Sequence, residues 1–361
     1  MNTDDVLAAL STVQDPELQR SVVDLGMVRD IEIGADRIAV RLMLTTAACP
    51  LKGRIQSEAE QALAAVADGR LVEVVMDAMS PEECERLAAS VKDGVGMPAT
   101  PFGPGSGTRV VAVASGKGGV GKSTVTANLA VALARQGHAV GLIDADVYGP
   151  TIPLMLGIGP LAPESHDGKL LPPEAHGVKV VSMGFFLHDD EPVIWRGPML
   201  GRAMEQFLGD VLWGSPDFLL IDLPPGTGDI ALTIAQMIPT AEMIVVTTPQ
   251  EAAAKVAAKA AKMARLTKHR VIGVVENMSY FVCPHCGEKH FIFGHGGAFE
   301  IARLADTTLL GRIPLDEATR SAGDAGAPPA LDPASEVGAV FHEMARTVAA
   351  MQPVRTGTAG A

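Results

Sequence analysis

Apolar residues in this chain fall into two kinds of run. Short, nearly unbroken stretches, RVVAVA from Arg109, AVGLI before Asp144, FLLI before Asp222 and VIGVV before Glu276, read as strands buried on both faces. Between them lie longer segments whose apolar positions recur every three or four residues, such as TVTANLAVALARQG from Thr124 and EAAAKVAAKAAKMARLTKHR over Glu251–Arg270, and these read as helices. The alternation predicts an α/β core with a doubly wound, mainly parallel sheet. The first ninety or so residues follow a different rhythm. DDVLAALSTV at 4–13 predicts a helix stopped by the turn signal Asp15 to Glu17, and IEIGADRIAVRLMLT predicts two strands around a Gly-Ala-Asp turn. CPLKGRIQSEAEQALAAV then reads as a helix with Cys49 just before it, VEVVMD as a further strand, and PEECERLAAS as a short helix carrying Cys84. A small mixed sheet with helices on one face is expected there.

Two breaks divide the chain. DGVGMPATPFGPGSGT, Asp93 to Thr108, is dominated by Gly and Pro, has no sustained apolar period and reads as a tether; MQPVRTGTAGA, from Met351, has little to pack and is expected to fray. The predicted organisation is a small α+β domain at 1–92, a linker at 93–108, the larger α/β core at 109–350 and a tail at 351–361. At 361 residues, 47% of them apolar and 4% aromatic, both domains can bury a core. With 29 Lys and Arg against 42 Asp and Glu, the formal charge of −13 disfavours a broad nucleic-acid face. No apolar run approaches the ~20 residues of a membrane span and no signal peptide opens the chain, so a cytoplasmic protein without a membrane partner is expected. Four cysteines, Cys49, Cys84, Cys283 and Cys286, are too few for a disulfide framework.

The chemistry concentrates after the strands. SGKGGVGKST, Ser115 to Thr124, contains GxxxxGK[ST] between a strand and a helix, the context in which that pattern cradles phosphates. Gly116, Gly118, Gly119, Val120 and Gly121 let backbone N–H groups curl around phosphate oxygens, with Thr124 opening the helix beyond. Lys122 reaches the β- and γ-phosphates, and the Ser123 hydroxyl is placed to ligate Mg²⁺. Lys117 is an extra cation at the start of the loop, placed to reach phosphates held by a second subunit, as an arginine finger does. Asp222 ends a buried strand and is expected to hold Mg²⁺, directly or through water; Asp144 is expected to orient or deprotonate the attacking water, and Asp146 to support the metal shell or a moving loop. Gly226 to Gly228, in LPPGTGD, are expected points of movement. Asn277 offers one donor and one acceptor to an adenine edge, or forms a turn.

FVCPHCGEKHFIFGHGG follows at once. Cys283 and Cys286 have the CxxC spacing that brings two thiolates to one ion or cluster, and Pro284 and Gly287 favour a tight turn. Two ligands do not complete a zinc site or a cubane cluster. Either His285, His290 or His295 adds nitrogen for zinc within the chain, or a dimer axis brings two pairs together around an iron–sulfur cluster; a redox dithiol is the third reading. Cys49, at a helix start, reads equally as a reactive thiol or a small buried hydrophobe. Met183 to Leu208, with Trp195 and Arg196, reads as a docking surface, part of a dimer face or plain core packing. The Glu251–Arg270 helix reads as a solvated cover on the sheet or a contact for an acidic partner.

DPEL at Asp15 to Leu18, VDLGMV, and TTAACPL at Thr45 to Leu51 resemble the small domain of iron–sulfur assembly factors. GKGGVGKST at Gly116 to Thr124, DADVYGP at Asp144 to Pro150, DLPPGTGD at Asp222 to Asp229 and ENMSYFVCPHCG at Glu276 to Gly287 together resemble the Mrp/NBP35 family of iron–sulfur cluster carriers, a branch of the deviant phosphate-loop ATPases. The resemblance implies a cytoplasmic homodimeric ATPase that binds a labile 4Fe-4S cluster through Cys283 and Cys286 of both subunits, receives it from a donor scaffold and passes it to apo-proteins. By the same resemblance Lys117 and Lys122 act on phosphate, Ser123 and Asp222 on Mg²⁺, and Asp144 on water. The N-terminal cysteine cluster of the family's eukaryotic scaffold members is absent from this sequence, which counts against a second, permanent cluster. The rival readings are a MinD/ParA-like spatial regulator, which calls for a basic amphipathic anchor or a basic face, an ATP-driven electron donor, and a zinc-stabilised scaffold.

Overall fold

The computed structural model describes residues 2–15, 21–44, 52–80, 83, 101–103, 105–147, 149–159, 163–166, 168–186, 197–226, 234 and 237–353. They form two units, residues 1–98 and 99–361.

In the first unit, helix α1 (Thr3–Leu10) opens on a capping box in which Asn2 and Asp5 exchange hydrogen bonds of 2.9 and 2.7 Å. It ends sooner than the apolar pattern predicts. The Ser11 and Thr12 hydroxyls turn back onto the Ala8 and Ala9 carbonyls at 2.6 and 2.7 Å, the local competition that makes such residues poor helix interiors. Strands β1 (Val28–Ile33) and β2 (Arg37–Leu44) pair antiparallel around the expected turn, and helix α2 (Lys52–Ala64) crosses over to bring β3 (Leu71–Ala78) parallel to β2. Ile38, Val40, Leu42 and Leu44 alternate onto the face that packs against Val6, Leu10, Ile55, Ala59 and Leu63, so the mixed sheet has one helix-covered face. Cys49, Cys84 and most of the DPEL and TTAACPL motifs lie outside the described residues.

The second unit is built on an eight-stranded sheet. Along the chain come β4 (Arg109–Ser115), α3 (Lys122–Arg135), β5 (Val140–Asp144), the short α4 (Ile152–Met155), the hairpin of β6 (Glu164–His166) and β7 (Lys169–Leu171), then β8 (Glu174–Ala175) and β9 (Val178–Ser182). A 3-10 turn at Met183–Phe186 precedes α5 (Gly197–Gly209); Trp195 and Arg196 lie outside the described residues. There follow β10 (Phe218–Asp222), β11 (Glu242–Thr247), α6 (Glu251–Leu266), β12 (Val271–Glu276), the hairpin of β13 (Phe281–Val282) and β14 (Lys289–His290), α7 (Gly297–Ala305), β15 (Leu309–Arg312), α8 (Glu317–Asp324) and α9 (Glu336–Ala350). The order across the large sheet is β15-β12-β11-β4-β10-β5-β9-β8, parallel throughout except for the β8–β9 pair. Every residue of β4, β5, β10, β11 and β12 is buried, as unbroken apolar runs require. Leu129, Leu133, Phe341 and Met344 cover one face from α3 and α9; Phe207, Leu208, Ala261 and Ile301 cover the other from α5, α6 and α7. Because β4 is central and its chain leaves toward β5, the loop after β4 sits where strand order reverses, the crevice in which such sheets bind ligands.

At the other end of the sheet Arg109 forms a buried ion pair with Glu242 and donates to the carbonyls of Val348 and Met351, the latter at 2.9 Å. Arg270 approaches Glu242 at 3.6 Å and donates to the Gln352 carbonyl at 3.0 Å. The sequence pattern placed fraying from Met351 onward; at its first two residues arginines reach the Met351 and Gln352 carbonyls, because the buried Arg109 has donors left to satisfy, and residues 354–361 lie outside the described residues. Glu242→Gln leaves the Arg109 guanidinium without its counter-charge and is expected to lower the stability of the full chain by roughly 3 kcal/mol in urea denaturation. A loss below about 0.5 kcal/mol would show that the pair is solvated.

Candidate functional site

The phosphate loop runs from the end of β4 into α3, and two of its glycines are required by shape. Gly121, the residue before α3, has φ 81°, and a Cβ there would lie 2.1 Å from the Asn277 amide nitrogen; a Cβ on Gly116 would lie 2.4 Å from the Ala257 backbone nitrogen of α6. The loop therefore presses against both α6 and the turn after β12. A cavity of about 260 Å³ opens over it, lined by Lys117 to Thr124 together with Ser115, Asp146, Gly149, Thr151, Met155 and Pro225.

Behind the loop Lys122 is 6% exposed and Asp222 fully buried, with Lys122 Nζ 2.6 Å from Asp222 Oδ2. Ser123 Oγ donates to the same oxygen at 2.6 Å, and Thr126 Oγ1 lies 2.6 Å from Asp222 Oδ1. Burial pushes the Asp222 carboxyl above the ordinary carboxylate range, against the Lys122 charge and the hydrogen bonds from Lys122, Ser123 and Thr126. Asp144 is the neighbour of Asp222 in the β5–β10 register and is also fully buried. Burial first, and the Asp222 charge second, push Asp144 up to about 7, although it accepts hydrogen bonds from the Asp146 and Ile152 amides and from Ser182 Oγ at 3.0 Å. Asp146 borders the cavity. Ser123 and Asp222, in contact with each other, and Asp146 on the cavity wall carry oxygen donors, the ligand type that suits Mg²⁺. Lys117 is half-buried and donates to Gln250 Oε1 at 3.2 Å, at the start of α6.

The Asn277 Nδ2 donates to the Val120 carbonyl at 2.9 Å, its Oδ1 accepts from the Met278 amide at 2.9 Å, and its own backbone amide donates to the Thr247 carbonyl at 2.8 Å. It braces the phosphate loop, and its side chain keeps a second N–H and a second lone pair beyond these contacts. Of the glycine-rich switch, Gly226 is described, with φ 96° and its amide 2.9 Å from the Ser115 carbonyl; residues 227–229 lie outside the described residues.

The cysteines stand on the β13–β14 hairpin, at the same end of the sheet. Gly287, at φ 73°, closes the turn with its amide 2.8 Å from the Cys283 carbonyl, and the Cys283 amide bonds Glu288 at 2.9 Å. Backbone N–H groups of Cys286 and His285, with the Cys286 side chain, hold the Cys283 thiol below its ordinary range, so this sulfur is prepared as a thiolate ligand. Cys283 is half-exposed and Cys286 exposed. His285, His290 and His295 are exposed, and no group of three or more His, Cys, Asp or Glu that could hold a metal occurs among the described residues. Phe291, Ile292 and Phe299 are exposed in the neighbouring stretch of chain.

Sequence reasoning missed the link between the two centres. Glu276 is fully buried next to Asn277 and accepts from Ser279 Oγ at 2.6 Å, from Arg312 Nε at 3.2 Å and from the Ala298 amide at 3.3 Å. The Arg312 guanidinium lies 5.9 and 5.6 Å from the rings of Tyr280 and Phe291, and Lys289 Nζ lies 4.2 Å from the Tyr280 ring. Glu276 carried the signal that exposed Asp144 and Asp222, a carboxylate ending an apolar strand.

A family model described as NUBPL iron-transfer P-loop NTPase matches residues 107–349, and one described as iron-sulfur cluster assembly protein matches residues 3–75. An iron-sulfur cluster carrier protein of Mycobacterium leprae is 50% identical, with 91% of this chain and 87% of that protein covered. The carrier protein of Bacillus subtilis is 40% identical, with 98% and 99% covered. Among solved structures, a nucleotide-binding protein in complex with ADP from Archaeoglobus fulgidus is 43% identical at a TM-score of 0.55, covering 62% of this chain and 89% of that one. A cell division ATPase MinD from Pyrococcus furiosus, 23% identical at a TM-score of 0.51 over 67% and 98%, shares the fold.

Because Asp144 is protonated more readily in the folded chain than the ~3.9 of an unfolded aspartate, its contribution to stability is complete below about pH 4 and is lost as pH rises through about 7. Asp144→Asn removes that loss. In paired urea denaturation the variant should gain on wild type between pH 5 and pH 8 by a few kcal/mol; a gap that stays constant would mean that Asp144 ionises as an ordinary carboxylate.

Proposed function

We propose, for a chain that belongs to the iron-transfer P-loop NTPase family, that it hydrolyses ATP as a homodimer and carries a 4Fe-4S cluster from a donor scaffold to apo-proteins. The observation that carries this reading is the placement of a complete phosphate site and a thiolate-prepared cysteine hairpin at one end of one sheet, joined through the turn at Glu276 and Asn277.

On this reading Lys122 leaves Asp222 for the β- and γ-phosphates when nucleotide enters, which frees Asp222 and Ser123 as oxygen ligands. These oxygens, with Asp146 in support, would hold Mg²⁺, which would supply positive charge against the phosphates. Asp144, balanced near neutrality, orients the attacking water and takes its proton. Lys117 crosses to the phosphates of the second subunit, exchanging Gln250 for them. Dimerisation brings two cysteine pairs to one cluster and covers Phe291, Ile292 and Phe299, apolar side chains otherwise left to solvent. The module at 1–92, tethered by 93–108, receives or hands over the cluster. No helix among the described residues is long and apolar enough to cross a membrane, and the cytoplasm is the proposed compartment.

Anaerobic reconstitution of wild type and of the Cys283→Ala, Cys286→Ala double variant tests the cargo. About four iron and about four sulfide per dimer, lost in the variant, are expected. Stoichiometric zinc without a cluster would sink the carrier reading. Lys117→Ala separates the trans role: hydrolysis should fall by about a thousandfold while nucleotide still binds. A variant that hydrolyses ATP normally would return Lys117 to the status of a loop residue held by Gln250.

A further inference from the structure

A second concavity lies beside the cysteine hairpin and takes no part in the phosphate site. It is a groove of about 460 Å³ between the base of the hairpin at Phe281 and Val282, helix α8 and the turn leading into α9. Leu315 and Leu331 complete an apolar floor with those two residues, all four half-buried. Around it stand three carboxylates, Asp316, Asp332 and Glu336, and none of its lining residues is Lys, Arg or His.

The negative rim is built into the backbone. Asp316 caps α8 by accepting from the Thr319 amide at 2.8 Å, Asp332 accepts from the Ala334 amide at 3.0 Å, and Glu336 opens α9. A carboxylate has lone pairs beyond those it uses in these contacts. An anion is therefore turned away, while an apolar side chain with a cation beside it finds both partners. The volume falls in the range that takes a few residues of a ligand chain.

The groove also touches both centres of the molecule. Val282 immediately precedes Cys283. On the far wall α8 packs against α4, whose Ile152 amide donates to Asp144 at 3.3 Å and whose Met155 borders the phosphate cavity. Gly326, just past α8, abuts Gly157 so closely that a Cβ on it would lie 2.4 Å from the Gly157 Cα.

We propose that this groove docks a short segment of a partner polypeptide in which one or two apolar side chains are flanked by Lys or Arg. That the partner is an iron–sulfur client rests on the carrier reading; the docking does not.

Fluorescein-labelled pentapeptides Lys-Val-Leu-Arg-Gly and Arg-Leu-Phe-Lys-Gly, with their Glu-flanked counterparts, are titrated with the full chain in the absence of nucleotide and iron, and anisotropy is read. The basic peptides should bind with a dissociation constant below about 1 mM, and the acidic ones about tenfold more weakly or not at all. Neutralising the exposed rim with Asp332→Asn and Glu336→Gln should weaken the basic peptides about fivefold, and Ala318→Trp, which fills the groove from the exposed face of α8, about tenfold or more. Absence of binding by the basic peptides, equal binding of basic and acidic ones, or indifference to both variants would overturn the proposal. The cysteines and the phosphate loop are untouched in this assay, so its failure leaves the carrier reading standing, and loss of the cluster would leave the docking result intact.

Discussion

Everything at the nucleotide end depends on a lysine and an aspartate sealed together beneath the phosphate loop. Taking two such charges out of water costs several kcal/mol each, and the cost is met only when the pair is close and further hydrogen bonds reach the carboxylate. Asp222 meets that condition through Lys122, Ser123 and Thr126. Burial first, and then the charge of Asp222 one strand away, raise Asp144 to a range where a proton can be taken or returned near neutral pH. An anionic ligand is the one partner that can draw Lys122 off Asp222 and release both halves of the pair into useful roles.

Much of this was readable from the chain because it is local. β4, β5, β10 and β12 announce themselves as unbroken apolar runs, since a parallel strand buried on both faces has no solvent side to keep polar. Each of β5, β10 and β12 then ends in a carboxylate where the sheet opens to its crevice. What could not be read is long-range pairing. Glu242 faces Arg109 across 133 positions, and nothing near either residue marks the other. The brace that Asn277 supplies is also long-range: the register between the β12 turn and the phosphate loop puts the Val120 carbonyl within reach of its amide. The helix predicted at 4–13 failed at its end for a smaller reason, the hydroxyls of Ser11 and Thr12, whose preference for nearby carbonyls is weak enough to be outvoted elsewhere.

The cysteine hairpin has a division of labour that spacing alone does not convey. Its backbone lowers the cost of ionising Cys283, while Cys286 stays at the surface. A site that offers two cysteine sulfurs and no third side chain from the described residues holds a four-ligand cargo only with help from outside itself. Such a cargo is lost whenever that help withdraws, which suits delivery better than storage.

The segment from Glu276 to Val282 is what both centres have in common. At its start Asn277 grips the Val120 carbonyl, and Gly121 leaves no room for a side chain between loop and amide, so the loop cannot shift without moving the turn. Met278 takes φ 53°, a conformation L-residues seldom adopt, which makes the reversal tight rather than slack. Glu276 is then anchored by Ser279, Arg312 and the Ala298 amide, while Arg312 and Lys289 lie against Tyr280. Displacement at the phosphate loop therefore has two outlets, bending of the short hairpin that carries Cys283 or breakage of a buried carboxylate's hydrogen bonds. The second leaves Glu276 unsatisfied in the core and is the more expensive. The proposed carrier function would use this arrangement if cluster release followed a change in the spacing of two cysteine pairs, with the ligands on a short hairpin and the anchored turn at its base.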